Sequence, residues 1–280
     1  MPRGAKQVES AALTFGAAAG NRVDCGSGAS LDDVSAADIA VLAWIYPTAA
    51  SLSGGILTKG TSALASRASF ELRHSVTANA IYFTRDCSTS DATAESAANL
   101  IVTNLWQCVA ATWSASALGA KLYYGTRVTP LAEVTYAASQ PVAGVGTPGD
   151  NSASVQIIGA YGGGTTGSVA QRIATIAKFN RVPSLAELIA WQFSALDEPF
   201  PAVMAGCVGL WYPGNEGPTK VIDYSGYHND GTITGATVSR GVPLSAKDQN
   251  LPGVPRQRPP LSQYMRPISD LRPNNWTAAR

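Results

Sequence analysis

The chain has 280 residues, of which 45% are hydrophobic and only 14% charged, and its formal net charge is +1. That length accommodates one large β domain with appendages or two small domains, and it buries a sizeable core. The near-neutral balance argues against whole-molecule attraction to nucleic acid or an anionic membrane, and no apolar run reaches the length of a membrane span.

Residues 1–10 read as a polar lead without the apolar core of a secretory signal, so synthesis in a cytoplasm without a signal peptide is expected. Ala11 to Phe15 begins a strand. Arg22 to Gly26 reads as a short edge segment and Ser27 to Asp38 as a loop of small and acidic residues. Ile39 to Tyr46 is a near-continuous apolar run stopped by Pro47, as in a strand covered on both faces. Ser51 to Gly55 turns the chain into Ile56 to Gly60. Ser69 to His74 alternates, apolar inward and charged outward, which puts His74 at an outward or edge position. Ala80 to Arg85 is another strand, and Asp86 to Ala98 reads as a long polar loop.

Leu105 to Gly125 predicts the central hairpin, with strands around Trp106–Trp113 and up to Gly125 joined by a turn of small residues. Period-two spacing sorts Trp106, Cys108, Ala110 and Thr112 to one face and Gln107, Val109, Ala111 and Trp113 to the other. Ala132 to Tyr136 is a short strand candidate, Ala143 to Asn151 a Gly/Pro loop, and Ser154 to Gly159 a strong strand. Gly162, Gly163 and Gly164 lack the Lys-Ser/Thr ending of a phosphate loop and read as a turn. Val169 to Phe179 returns as a strand. Ser184 with Glu187 then forms a capping box that opens a helix over 184–196, with Leu185, Leu188, Ile189, Gln192 and Leu196 on its packing face. Many short strands with one late helix predict an all-β, antiparallel sandwich.

Several motifs together resemble the concanavalin-A-like, laminin-G-like jelly-roll family. They are Leu13-Thr14-Phe15-Gly16 with Arg22-Val23-Asp24 and Gly26, the run Ile39 to Pro47 with Trp44, and the Trp106–Thr112 and Leu122–Gly125 hairpin. Ile157-Ile158-Gly159, Ile173 to Phe179 and the helix at Ser184 complete the set, which covers roughly residues 10–196. A second stretch, Val208 to Trp211 with Asp223 to Thr232, resembles the family's usual N-terminal entry but follows the helix. The expected organisation is a lead (1–10), a laminin-G-like sandwich (11–196), added strands and loops (197–250) and a Pro/Arg-rich arm (251–280). The resemblance implies fold, since such a family contains sugar binders, glycosidases and structural modules.

No Glu-x-Asp-x-x-Glu pattern of the family's hydrolases is present, and neither His74 nor His228 accompanies a nucleophile elbow, so no catalytic residues are assigned. Cys25, Cys87, Cys108 and Cys207 are widely spaced and read as buried free thiols, not zinc ligands. Asp223, Asn229 and Asp230 offer hard oxygen ligands for Ca²⁺, or equally a string of Asx turns; no other cofactor is expected. Tyr161, Tyr224 and Tyr227 are candidate sugar-stacking platforms, or rim aromatics over a sheet edge.

The last 30 residues carry six prolines, and Arg256, Arg258, Arg266, Arg272 and Arg280 face the single acid Asp270. Proline excludes regular helix and favours an extended arm. Tyr264, Met265, Leu271 and Trp276 are spaced along it like anchors, with the arginines available to pair with partner carboxylates. The combined expectation is a non-enzymatic virion structural protein, a phage capsid decoration (cement) protein on the capsid exterior. Its partners would be the major capsid protein, other virion subunits or copies of itself, with no nucleic acid and no membrane. The alternative is a carbohydrate-binding or adhesion module from a phage tail or cell surface, with a glycan as ligand; a glycoside hydrolase ranks third.

Overall fold

A computed structural model describes residues 11–18, 20–32, 37–49, 53–60, 68–75, 79–149, 154–160, 167–194, 203–213 and 217–239. The expectations for the lead, for Tyr161 and the glycines after it, and for the arm fall outside these residues.

The described chain is an all-β antiparallel sandwich with one helix. The first sheet runs β10 (Ala132–Glu133), β9 (Gly119–Thr126), β8 (Gln107–Ser114), β3 (Ile39–Pro47) and β12 (Gln171–Phe179). Two short strands share the free edge of β12: β1 (Ala12–Phe15) along its first half and β13 (Cys207–Tyr212) along its second. The second sheet runs β15 (Gly231–Thr234), β2 (Arg22–Asp24), β11 (Gln156–Ile158), β4 (Gly54–Gly60), β5 (Ala68–His74), β6 (Ile81–Arg85) and β7 (Ala92–Glu95). Strand β14 (Lys220–Asp223) turns the corner, pairing with β13 through Trp211↔Asp223 and with β15 through Val221↔Gly231. β16 (Thr237–Ser239) returns to pair with β1.

Strand parity builds two apolar layers. Between the sheets lie Val41, Val109, Ala111, Trp113 and Ile173 from one side and Leu57, Phe70, Leu72, Phe83 and Ile158 from the other. The outer face of the first sheet carries Ala40, Leu42, Trp44, Cys108, Ala110, Ala174 and Ala177, covered by Leu188 and Trp191 of α1 (Leu185–Ser194). Alanines leave room for the helix to approach, and Trp44 Nε1–H donates to Gln192 O at 3.1 Å. Removing the Trp191 ring would cost about 3–5 kcal/mol by cavity formation. The hairpin residues fall on the two faces in the expected alternation.

The capping box forms: Ser184 N–H donates to Glu187 Oε2 at 2.8 Å and Glu187 N–H to Ser184 Oγ at 3.3 Å. Arg181 adds a fork on the same carboxylate and, with the cap, holds Glu187 down to a pKa of about 2. The helix face differs from expectation. Leu188, Trp191 and Gln192 are buried while Leu185 is exposed, because the helix packs through its Trp44 contact. Leu196 lies outside the described residues.

Three further readings are corrected. The stretch 86–98 contains β7, whose small Ala92 and Ala94 face the core opposite exposed or half-buried polar neighbours. Arg22 to Asp24 is interior to its sheet, paired on one side with β15 and on the other with β11. Both partners lie more than a hundred residues away, so nothing local marks the pairing. His74 is buried, on the inward parity of Phe70 and Leu72, and bonds Gln171 Oε1 through Nε2 at 2.9 Å. The charged residues of β5 do turn to the outer face, yet Glu71 and Arg73 are buried there too, 3.4 Å apart, with Arg73 over the Tyr82 ring.

Burial holds His74 neutral, lowering its pKa from 6.5 to about 4. Between those values the unfolded chain binds the extra proton, so stability falls as pH drops from 6.5 to 4, by on the order of 3 kcal/mol. Burial raises the Glu71 pKa, which favours the folded state on acidification and opposes this trend. The His74 contribution is therefore read as a difference: His74→Gln should flatten the loss of urea midpoint across that window relative to the unsubstituted protein.

Candidate functional site

The second sheet's outer face ends in an open cleft of about 570 Å³ lined by residues of three segments. Its floor is the β2–β15 pair. The register sets Thr232 opposite Asp24 and Thr234 opposite Arg22, while Val23 and Ile233 alternate inward to the core. The β14–β15 turn contributes His228, Asn229 and Asp230, and the segment after β2 contributes Cys25, Gly26 and Gly28. Gly26 has φ +74°, and Asp24 Oδ1 accepts its N–H at 2.9 Å. A Cβ on Gly28 would stand 2.6 Å from Asn229 Oδ1, so the two walls meet only because that residue has no side chain.

The three candidate Ca²⁺ ligands do not converge on an open position. Asp223 is 3% exposed, and its Oδ1 accepts the N–H groups of Leu210 and Ser225, both at 2.8 Å. Its Oδ2 accepts from Ser225 Oγ at 2.8 Å, Asn229 N at 2.9 Å and Asn229 Nδ2 at 3.1 Å. Asn229 Nδ2 also donates to Ser30 Oγ and Val208 O, and Asp230 Oδ1 accepts Asp223 N–H at 3.1 Å. This is an Asx-turn corner in which every acceptor direction of Asp223 already has a protein donor. Among the described residues no group of three or more His, Cys, Asp or Glu side chains is placed to hold a metal ion.

The tyrosines separate. Tyr224 is half-buried, its ring edge-on to Tyr212 at 5.9 Å and packed with the layer under the helix. Tyr227 is 55% exposed on the turn, next to His228 of the cleft. Sequence reasoning passed over Arg22, Asp24, Thr232 and Thr234, because each lies in a short strand whose partner is remote. The carboxylates and guanidinium of the lining are Asp24 and Asp230 against Arg22. Cys25 is buried at the cleft's edge, and burial together with Asp24, Asp223 and Asp230 pushes its thiol well up, away from the thiolate. The four cysteines are all buried and unpaired.

The chain matches no protein-family model and no curated protein sequence. Among solved structures it is similar to a native heptameric SAP-like pentraxin from Limulus polyphemus, at 12% identity over 66% of this chain and 83% of that one, with a TM-score of 0.44. It is similar to domains LG4-5 of the mouse laminin alpha1 chain, at 14% identity over 62% of this chain and 43% of that one, with a TM-score of 0.42. A third likeness is to tailspike protein 2 of Escherichia coli O157:H7 bacteriophage CAB120, at 10% identity over 75% of this chain and 31% of that one, with a TM-score of 0.45. None of these likenesses carries an argument about ligand, activity or location.

Asp223→Asn turns an NH₂ donor toward existing donors and is expected to destabilise the fold by about 3 kcal/mol, read by urea unfolding. Because its oxygens are already engaged, adding Ca²⁺ or EDTA to the unsubstituted protein should leave Tm unchanged.

Proposed function

We propose that this chain is a non-enzymatic carbohydrate-binding or adhesion module whose outer-sheet cleft takes a neutral saccharide. The observation that carries this reading is the cleft itself, a concave polar site of small-ligand size. Thr232 and Thr234 present hydroxyls, Asp24 and Asp230 each keep a second carboxylate oxygen for vicinal sugar hydroxyls, and Arg22 and His228 supply donors. The exposed Tyr227 ring offers an apolar face to a pyranose at the rim.

Charge favours a neutral ligand over an acidic one. A sialyl or uronyl carboxylate in this cleft meets two aspartates and one arginine, and that repulsion selects against it. The non-enzymatic part rests on the same geometry: the two carboxylates brace turns through Gly26 N–H and Asp223 N–H, and the adjacent thiol is held protonated. The capsid-decoration reading stands on residues 251–280, outside the described residues, and nothing in the described fold adds to it.

Screening the protein against neutral and acidic glycans, followed by titration calorimetry, tests the proposal. Neutral glycans are expected to bind, and Asp24→Asn with Asp230→Asn should weaken them by about tenfold or more. Tyr227→Ala should weaken them as well. Failure of all neutral glycans, or binding indifferent to these substitutions, sinks it. Turnover of any bound oligosaccharide would overturn the non-enzymatic assignment.

A further inference from the structure

Lys59 on β4 and Lys178 on β12 are 0% and 2% exposed. They come from opposite sheets and point into the same end of the interior: Phe70 is the register partner of Lys59 and carries the Lys178 ammonium over its ring at 5.0 Å. Both ammonium groups reach one corner of the β2–β3 connection. Lys178 Nζ donates to Leu31 O at 2.6 Å, and Lys59 Nζ donates to Asp32 Oδ1 at 3.0 Å and Ser154 O at 2.8 Å.

Apolar residues of similar volume would fill this space without removing two charges from water. What the lysines do that apolar side chains do not is grip that corner. Leu31 N–H closes a turn onto Gly28 O at 2.8 Å, Ser30 is bonded to Asn229, and Gly28 lies against Asn229 Oδ1. Gly26 and Gly28 form one wall of the cleft and Asn229 belongs to the facing one. The chain from Leu31 back to Gly26 is therefore a short lever between the two lysines and the cleft.

We propose that Lys59 and Lys178 are positioning residues that pin the Gly26–Asp32 segment from inside and thereby set the width of the cleft. Neither touches a ligand. The functional half of this proposal rests on the saccharide-binding reading above; the pinning itself has a readout that needs no ligand.

The test uses the full chain with Lys178→Met and Lys59→Met, and Lys121→Met on the exposed side of β9 as a control. Hydrogen exchange should show the Leu31 and Cys25 amides losing about tenfold or more of their protection in both core variants, with β8 amides unchanged. Affinity for the glycan selected by the unsubstituted protein should fall about tenfold, while Lys121→Met changes neither. Asp32→Asn removes the partly exposed partner of Lys59 without touching the core, and should reproduce the Lys59→Met loss if that variant does not fold. Retained protection of the segment in folded variants overturns the pinning. Lost protection with undiminished affinity overturns the positioning role and leaves saccharide binding standing. If the unsubstituted protein binds no saccharide, the functional reading falls, and exchange alone decides whether the lysines hold the segment.

Discussion

The described fold depends on the corner that Asp223 closes. The two sheets are joined edge to edge by one strand that pairs in both, β14. Its end would expose the N–H groups of Leu210, Ser225 and Asn229 inside the protein, and a single ionised carboxylate accepts all three. Bonds to a charged acceptor are the strong class, so one aspartate supplies what several neutral turns would otherwise share. Asn229 extends the same network to Ser30 and Val208 and thereby positions the cleft.

Elsewhere the interior is braced by amides more than by charge, in keeping with a chain only 14% charged. Gln192 reaches out of the helix to hold Thr126 O, Thr129 O and Leu131 N–H, fixing the loop after the hairpin. Gln107 does the same for Val102 and Leu105, and Gln171 joins Gly55 O to His74. A carboxamide carries both donor and acceptor and can satisfy opposed backbone groups with no ion to desolvate. The buried lysines, Arg85 and the Glu71–Arg73 pair are the exceptions. Each of them meets a carbonyl, a carboxylate or an aromatic face.

The cleft and the helix-covered layer are kept apart by the sandwich itself. One sheet's outer face is sealed by alanines under α1, while the other's ends in polar side chains around an opening. Binding chemistry at that opening can thus vary without disturbing the Trp44, Trp191 and Trp113 packing that holds the layers together.

Local pattern alone determined the central hairpin and its two faces, the apolar β3, the capping box and the all-β class, because each depends on neighbours two to four positions apart. The same reasoning placed Ala92–Glu95 in a loop, His74 outside and Arg22–Asp24 at an edge. For His74 and Arg22–Asp24 the burial or pairing is imposed by remote residues, Gln171 for the first and β11 and β15 for the second, whereas β7 pairs with the adjacent β6 and was hidden by its small and polar composition. For the candidate site the Asp223–Asp230 stretch was legible as chemistry, but as ligand or turn alike; in the fold five donors converge on Asp223 in an Asx-turn corner. Arg22, Asp24, Thr232 and Thr234 became a site only when β2 paired with β15 some two hundred residues away and the alternation of two strands put their polar sides on one face. Side-chain type is written in the sequence, but which polar residues share a surface is settled by long-range strand pairing.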